Sequence, residues 1–311
     1  LKRADLYESH QIKRESLSTR ERMADILQTL QSSDYCSFDS LFSKHYFEIF
    51  MIGFNHLGQH GRLGNQMFQY AALRGIAAVH GYDFCIPQSK FEDEWKDHQL
   101  FETFKLPHNK NRGYQINPDY HQERQFHYDQ EYVDKCPDQV CLYGYFQTEK
   151  YFEHIAHSIR EDFTFHDDIL NTCKGFIEQV EKPIALHVRR TDYVEKSKDH
   201  PPCSLDYYKK ALTQFKFTRN VIVFSDDPEW CKDQSIFSSD RFMVAEENDN
   251  RYDLCLMSLC DDFIIANSSF SWWGAWLANR GTVIAPSRWF GEGYTAKNNT
   301  CDIIPSNWWK L

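Results

Sequence analysis

The sequence predicts an α/β protein built from two Rossmann-like domains facing across a cleft. Three observations carry that expectation. Short apolar runs, IALHV (184–188), VIVFS (221–225), FMVAE (242–246), FIIAN (263–267) and TVIAP (282–286), alternate with helical segments through the second half. Alternation of that kind builds a doubly wound parallel sheet with ligands at the strands' C-terminal ends. The first half opens as a βαβ unit: YFEIFMIGF (46–54), the glycine-punctuated loop HLGQHGRLGN (56–65), the helical run QMFQYAALRGIAAVHG (66–81), then DFCIP (83–87). Finally, polar groups follow two of the apolar runs directly, as HVRR at 187–190 and NSSF at 267–270.

The remaining elements follow from local signals. Residues 1–45 are charged, with Leu17, Met23, Ile26, Leu27 and Leu30 at roughly helical spacing, and read as a helical extension or linker without chemistry. CLYGYFQ (141–147) reads as a strand, TEKYFEHIAHSIREDF as a helix starting near Thr148, and 85–140 has no interpretable pattern. A helix is expected from Leu205 to Phe215, and another over SDDPEWCKDQ with an aspartate cap and Pro228 in its first turn. RYDLCLMSLC (251–260) is helical, with Asp253 near its start, and SSFSWWGAWLAN (268–279) is a helix stopped by Gly281. The expected units are 1–45, an N-terminal domain over 46–180 and a C-terminal domain over 181–311.

Composition narrows the function. With net charge −10 and a pI near 5.8, the chain has no non-specific nucleic-acid surface, so any basic site is a local pocket. No apolar run approaches the roughly 20 residues that span a bilayer, and no signal peptide is recognised. The ten cysteines include no C-x-x-C pair. Cys136 with Cys141, or Cys255 with Cys260, are conceivable neighbours, but buried free thiols and a reducing, cytoplasmic setting are expected. The first residue is Leu1, as in a processed chain or a part of a longer multidomain one.

Adjacent guanidiniums repel and are also the groups best shaped to grip carboxylate or phosphate, so Arg189 and Arg190 either hold an anionic ligand or are paired by nearby carboxylates. GRLGN (61–65) and SSFSWW (268–273) each stand at a strand-to-helix junction, where free N–H groups can cradle an anion. A tight turn and an ordinary serine cap are the plain alternatives. Trp272, Trp273 and Trp276 face core. Asp226 and Asp227 read as helix caps rather than metal ligands, and the histidine pairs His56/His60 and His154/His157 lack a metal-site context. The chain contains no D-x-D pair, which weakens any mechanism in which a divalent ion carries a nucleotide diphosphate. Asp253 is either a solvated first-turn aspartate or a carboxylate placed to accept from the N1–H and amino group of guanine.

In order, GRLGNQMFQYA, LYGYFQTEKYF, HVRRTDY, VFSDDPEW and DLCLMSLCDDFIIANSSFSWWGAWLA resemble glycosyltransferase family 11, which contains the α-1,2-fucosyltransferases. The resemblance runs from about Met51 to Phe290. It implies a GT-B fold, an N-terminal acceptor-side domain, a C-terminal GDP-sugar domain, GDP-fucose as donor, inversion at the anomeric carbon and no metal. By motif, Arg189 and Arg190 would hold the diphosphate, and His187 and Asp253 the guanosine. Ser268, Ser269, Phe270 and Ser271 would line the β-phosphate and fucose, with Gly64 and Asn65 reaching in from the other domain. Asp192 would act as base, orient Arg189 or bind the acceptor. The acceptor would be a glycan hydroxyl, such as the 2-hydroxyl of a galactoside. A different linkage or GDP-sugar, and a catalytically silent glycan- or nucleotide-binding module, are the other readings. A peripheral membrane or Golgi-lumenal setting would apply if a longer chain carried an anchor.

Overall fold

The computed structural model describes residues 50–59, 61–87, 99–107, 113, 116, 119–246 and 249–311. The helical extension expected over 1–45 and His60 lie outside the described residues. Two parallel sheets form. In the first half, β1 (Met51–Gly53), β2 (Asp83–Cys85), β3 (Tyr120–Gln122) and β4 (Cys141–Tyr143) lie in the order β2-β1-β4-β3. In the second, β5 (Ile184–Val188), β6 (Val221–Ser225), β7 (Phe242–Val244), β8 (Asp262–Ile264), β9 (Val283–Ala285) and β10 (Trp309–Lys310) lie in the order β10-β9-β8-β5-β6-β7. Read from β7, that is the doubly wound order with its switch point between β5 and β8. HVRR closes β5 and opens the loop after it, and NSSF lies in the connection from β8 into the next helix, so topology alone brings the two motifs to one crevice.

Four helices position the site: α1 (Leu63–His80), α2 (Asp167–Ile177), α3 (Asn250–Leu259) and α4 (Ser269–Ala278). α1 is buried along most of its length and ends at Gly81, whose φ of 67° is the left-handed conformation that closes a helix. α4 lies across α1, with the Phe68 ring 4.5 Å from Trp272 and 4.9 Å from Trp273 between centroids. Phe152 stacks on Trp273 at 5.4 Å. Such aromatic pairs add about 0.5–1.5 kcal/mol each beyond area burial. The three tryptophans therefore form core, and that core runs without a break from Ile52 and Leu73 to Leu254 and Trp308. Two approaches require glycine: a Cβ on Gly75 would stand 1.9 Å from the Tyr151 carbonyl, and one on Gly274 would stand 2.4 Å from Met257 Sδ.

Several expected boundaries move. The single helix from Thr148 is replaced by two 3-10 turns, Glu149–Tyr151 and Glu153–Ile155, followed by Ala156–Asp162. Phe152 leaves the helical region (φ −141°) and its ring is fully buried in the tryptophan cluster, so tertiary burial overrides local periodicity. α4 stops at Asn279, itself left-handed (φ 50°), before Gly281 is reached. The helix begun at Leu205 ends at Leu212 instead of Phe215. β8 covers only Asp262–Ile264, and the rest of FIIAN leads outside the strand through a bend at Asn267 to the start of α4. The nine described cysteines are all free thiols.

Candidate active site

The glycine loop and the serine loop meet. A Cβ on Gly64 would stand 2.7 Å from the Phe270 backbone nitrogen and 2.8 Å from Ser269 Oγ. Only glycine lets the first turn of α1 reach the first turn of α4. Neither helix has an acidic residue in its first turn, so both positive dipole ends are left without a carboxylate of their own. Arg62, the residue before α1, is exposed, and no carboxylate pairs with it among the described residues. A cation placed where the helix dipole disfavours it is a signal that motif spacing did not single out.

Asn65, beside Gly64, accepts a 2.7 Å hydrogen bond at Oδ1 from Gln147 Nε2. Gly61 makes room for it: its φ is +94°, and a Cβ there would lie 2.2 Å from Asn65 Nδ2. Across the junction, Ser268 caps α4 by accepting from the Phe270 N–H at 3.4 Å. Ser269 lies against Gly64. Ser271, fully buried, donates to the carbonyls of Ala266 and Ser268, so it fixes the turn rather than facing the crevice.

The opening polar run separates by direction. His187 shares the sheet face of Ala185 and is 5% exposed, with its ring 5.7 Å from Phe270. Its Nδ1 is buried and has no hydrogen-bond partner. Burial, with Arg189 nearby, brings its pKa down to about 3, so the ring is neutral. Arg189 is held by Asp192 on one terminal nitrogen and by Asp226 at 3.1 Å on the other, over the Tyr193 ring. The Tyr193 hydroxyl donates to the Asn267 carbonyl at 3.0 Å, which ties the Arg189 platform to the residue before the serine loop. Arg190 turns away: its Nε donates to Asp227 at 3.1 Å and its guanidinium lies 3.8 Å over the Trp230 ring. Its backbone N–H donates to Asp226 at 2.8 Å. Of the two carboxylates expected as caps, Asp227 does both jobs, since it also accepts from the Trp230 N–H, while Asp226 caps no described helix.

Asp253 stands apart. α3 starts one residue before the expected Arg251, capped by Asp249, and holds Asp253 in its first turn beside α2. No hydrogen bond joins it to His187, although both lie on the side of the sheet covered by α3 and α4. Burial and the neighbouring Asp249 push its carboxyl up to about 7. Among the described residues, no cluster of three histidines, cysteines or carboxylates has the arrangement of a metal site. None of the described helices is long and apolar enough to cross a membrane.

Comparison with known proteins places the chain among glycosyltransferases. An α-1,2-colitosyltransferase of Escherichia coli is 32% identical over 283 residues, covering 81% of this chain and 96% of its own length. The galactoside 2-α-L-fucosyltransferase SEC1 of Bos taurus is 27% identical over 246 residues, covering 72% of this chain and 64% of its own. Among solved structures, POFUT1 in complex with GDP matches with a TM-score of 0.50 at 14% identity, over 76% of this chain and 98% of its own. That last likeness speaks to the fold alone, the GT-B arrangement. The family model described as "Glycosyl transferase family 11" matches residues 22–310, and the chain belongs to that family of glycosyltransferases.

Proposed function

We propose that the protein is an inverting transferase that moves L-fucose from GDP-fucose to a hydroxyl of a glycan, the 2-hydroxyl of a galactoside. The observation that carries this reading is the junction at Gly64, where two helix N-termini converge, with Arg189 linked through the Tyr193 ring to Asn267, two residues before the second helix. A diphosphate is the ligand such a junction suits. As the bond from the anomeric carbon to the diphosphate breaks, negative charge grows on the β-phosphate while the sugar becomes oxocarbenium-like. Arg189, locked between Asp192 and Asp226, meets that charge without reorganising. Asp192 orients Arg189, and Arg190 braces the loop against Trp230. Neutral His187 and the carboxylate of Asp253 recognise the guanosine. No divalent ion is required in this scheme.

The galactoside 2-hydroxyl is supported by the likeness to the cattle enzyme, whose name states that activity. The 32% identity to the colitosyltransferase supports a second donor, a colitosyl nucleotide, in the same site. A donor panel with β-galactoside acceptors, read by product mass, decides between them. Fucosylated galactoside with linkage to O2 is the expected product. Calorimetry showing equal affinity for ADP and GDP would remove the guanine assignment.

A further inference from the structure

The carboxylates nearest the arginines are already committed. Asp192 holds Arg189. Asp226 takes Arg189, the Arg190 N–H and the Thr191 hydroxyl. Asp227 takes Arg190 and caps a helix. A carboxylate gripping a guanidinium is a poor proton acceptor, because taking a proton sacrifices the ion pair. One carboxylate at the cleft edge is different. Glu123 directly follows β3 at the C-terminal end of the first sheet, where its N–H donates to the Tyr143 carbonyl at 2.8 Å. Its Oε2 accepts from the Tyr145 N–H at 2.7 Å, and its Oε1 accepts from the Phe146 N–H at 3.0 Å. No lysine or arginine pairs with it among the described residues. Two N–H groups fix its position and still leave lone pairs on both oxygens.

Its surroundings connect it to both halves. The loop it grips continues to Gln147, which holds Asn65 beside the Gly64 junction. Gly144 is part of the fit, since a Cβ there would stand 2.4 Å from the Glu123 side chain. Tyr145 is exposed, and Tyr294 arrives from the second half within electrostatic reach of both Glu123 and Tyr145. Tyr294 packs tilted against Phe290, centroids 4.2 Å apart, and His200 bridges Phe290 to the Tyr193 ring under Arg189. A run of rings thus leads from the guanidinium to this carboxylate.

We propose that Glu123 is the general base, receiving the proton of the acceptor hydroxyl as fucose is transferred. This rests on the transferase reading above. The acceptor O–H bond breaks toward a Glu123 oxygen while the acceptor oxygen bonds to the anomeric carbon. The bond from that carbon to the diphosphate breaks, and its electron pair leaves on the β-phosphate of GDP. Burial holds the Glu123 carboxyl up at about 7, a value matched to proton transfer near neutrality. Titratable groups in electrostatic reach of it include the phenols of Tyr132, Tyr151 and Tyr294, with Tyr145 on the loop it grips, while the adjacent Arg124 is taken by Asp129 and Glu131.

The test uses the full chain and the variant Glu123→Gln, with GDP-fucose and either a galactoside or azide as acceptor. Azide attacks without losing a proton. For the galactoside, kcat should fall about 10²–10⁴-fold. GDP affinity by calorimetry should stay within about twofold, and fucosyl azide formation should stay within about threefold, of wild type. With GDP-fucose saturating at every pH, so that donor affinity drops out, the wild-type kcat with the galactoside should show an acid limb with its midpoint near 7, absent with azide. Wild-type turnover of galactoside by Glu123→Gln overturns the proposal, as does an equal loss with both acceptors, which would mark Glu123 as a loop clamp only. If Glu123→Gln fails to fold, the wild-type profile decides alone: the same limb with both acceptors, or none, overturns it. Failure of the wild-type protein to bind GDP or release fucose would instead strike the donor reading.

Discussion

Replacing Asp253 by asparagine should stabilise the protein while weakening its grip on GDP. The carboxyl is raised from 3.8 to about 7, chiefly by burial and then by Asp249. For an acid with a raised folded pKa, the folded state holds its proton more tightly than the unfolded state does. Ionisation therefore costs nothing below the unfolded value, grows through the window from 3.8 to about 7, and is fully felt above it. At about 1.4 kcal/mol per pH unit the ceiling is roughly 4 kcal/mol, and partial exposure reduces it to an expected 1–2 kcal/mol, about 1.5–3 °C in Tm for a chain of this length. Asparagine removes the charge at constant shape. Tm should rise by that amount at pH 8 and hardly change at pH 4. The same substitution loses charge-assisted bonds worth about 1.5–3 kcal/mol each, so GDP affinity at pH 8 should fall about 10–100-fold, with pyrophosphate affinity unchanged. Wild-type GDP affinity should also drop about tenfold per pH unit below 7, because guanine needs the ionised form. Calorimetry and thermal melts at both pH values check these outcomes. A destabilised variant at pH 8, or one that binds GDP as well as wild type, would refute the reasoning.

Gly64→Ala should cost about 1–3 kcal/mol and at least tenfold in GDP affinity, because the new methyl separates the two helix ends. Unchanged GDP affinity would show that those ends do not share a ligand. Arg189→Lys keeps charge but loses the planar fork, and both it and Arg189→Ala should lower kcat/KM at least about tenfold, roughly 1.4 kcal/mol. The alanine variant should also melt earlier, since Asp192 and Asp226 lose their cation. A normal rate per folded molecule in both variants would reduce Arg189 to a structural ion pair. Turnover should persist in excess EDTA. If activity disappears with chelator and returns with Mn²⁺ or Mg²⁺, the metal-free scheme is wrong.

What the sequence made legible was whatever local pattern dictates. IALHV and VIVFS form strands with the bounds that their apolar runs suggest, because both are buried along their whole length. HVRR and SSFS lie at strand ends because strand and helix signals bracket them directly. Three things depended on long-range contact and stayed hidden. Phe152 breaks a helix that periodicity favours, because its ring belongs to the tryptophan core. Arg190 has the same sequence context as Arg189, yet Trp230, far along the chain, turns it aside. Glu123 lies in the stretch without interpretable pattern, and its environment is set by N–H groups more than 20 residues later.

The charge inventory of the site means that the phosphate binding proposed for it cannot come from the arginine pair alone. Arg189 and Arg190 contribute two positive charges, and Asp192, Asp226 and Asp227 contribute three negative ones, so the group is net −1 before any ligand arrives. A diphosphate approaching that cluster by charge alone would be repelled. Attraction has to come from elements outside it: the two dipole ends brought together at Gly64, and exposed Arg62 beside them. The carboxylates have a different effect. They hold the Arg189 fork at a fixed angle over Tyr193, so that its remaining donors are ready for the charge that develops on the β-phosphate as the glycosidic bond breaks. In the proposed scheme, ground-state binding would then lie in the helix ends and transition-state discrimination in Arg189, an arrangement that raises turnover rather than merely tightening the donor.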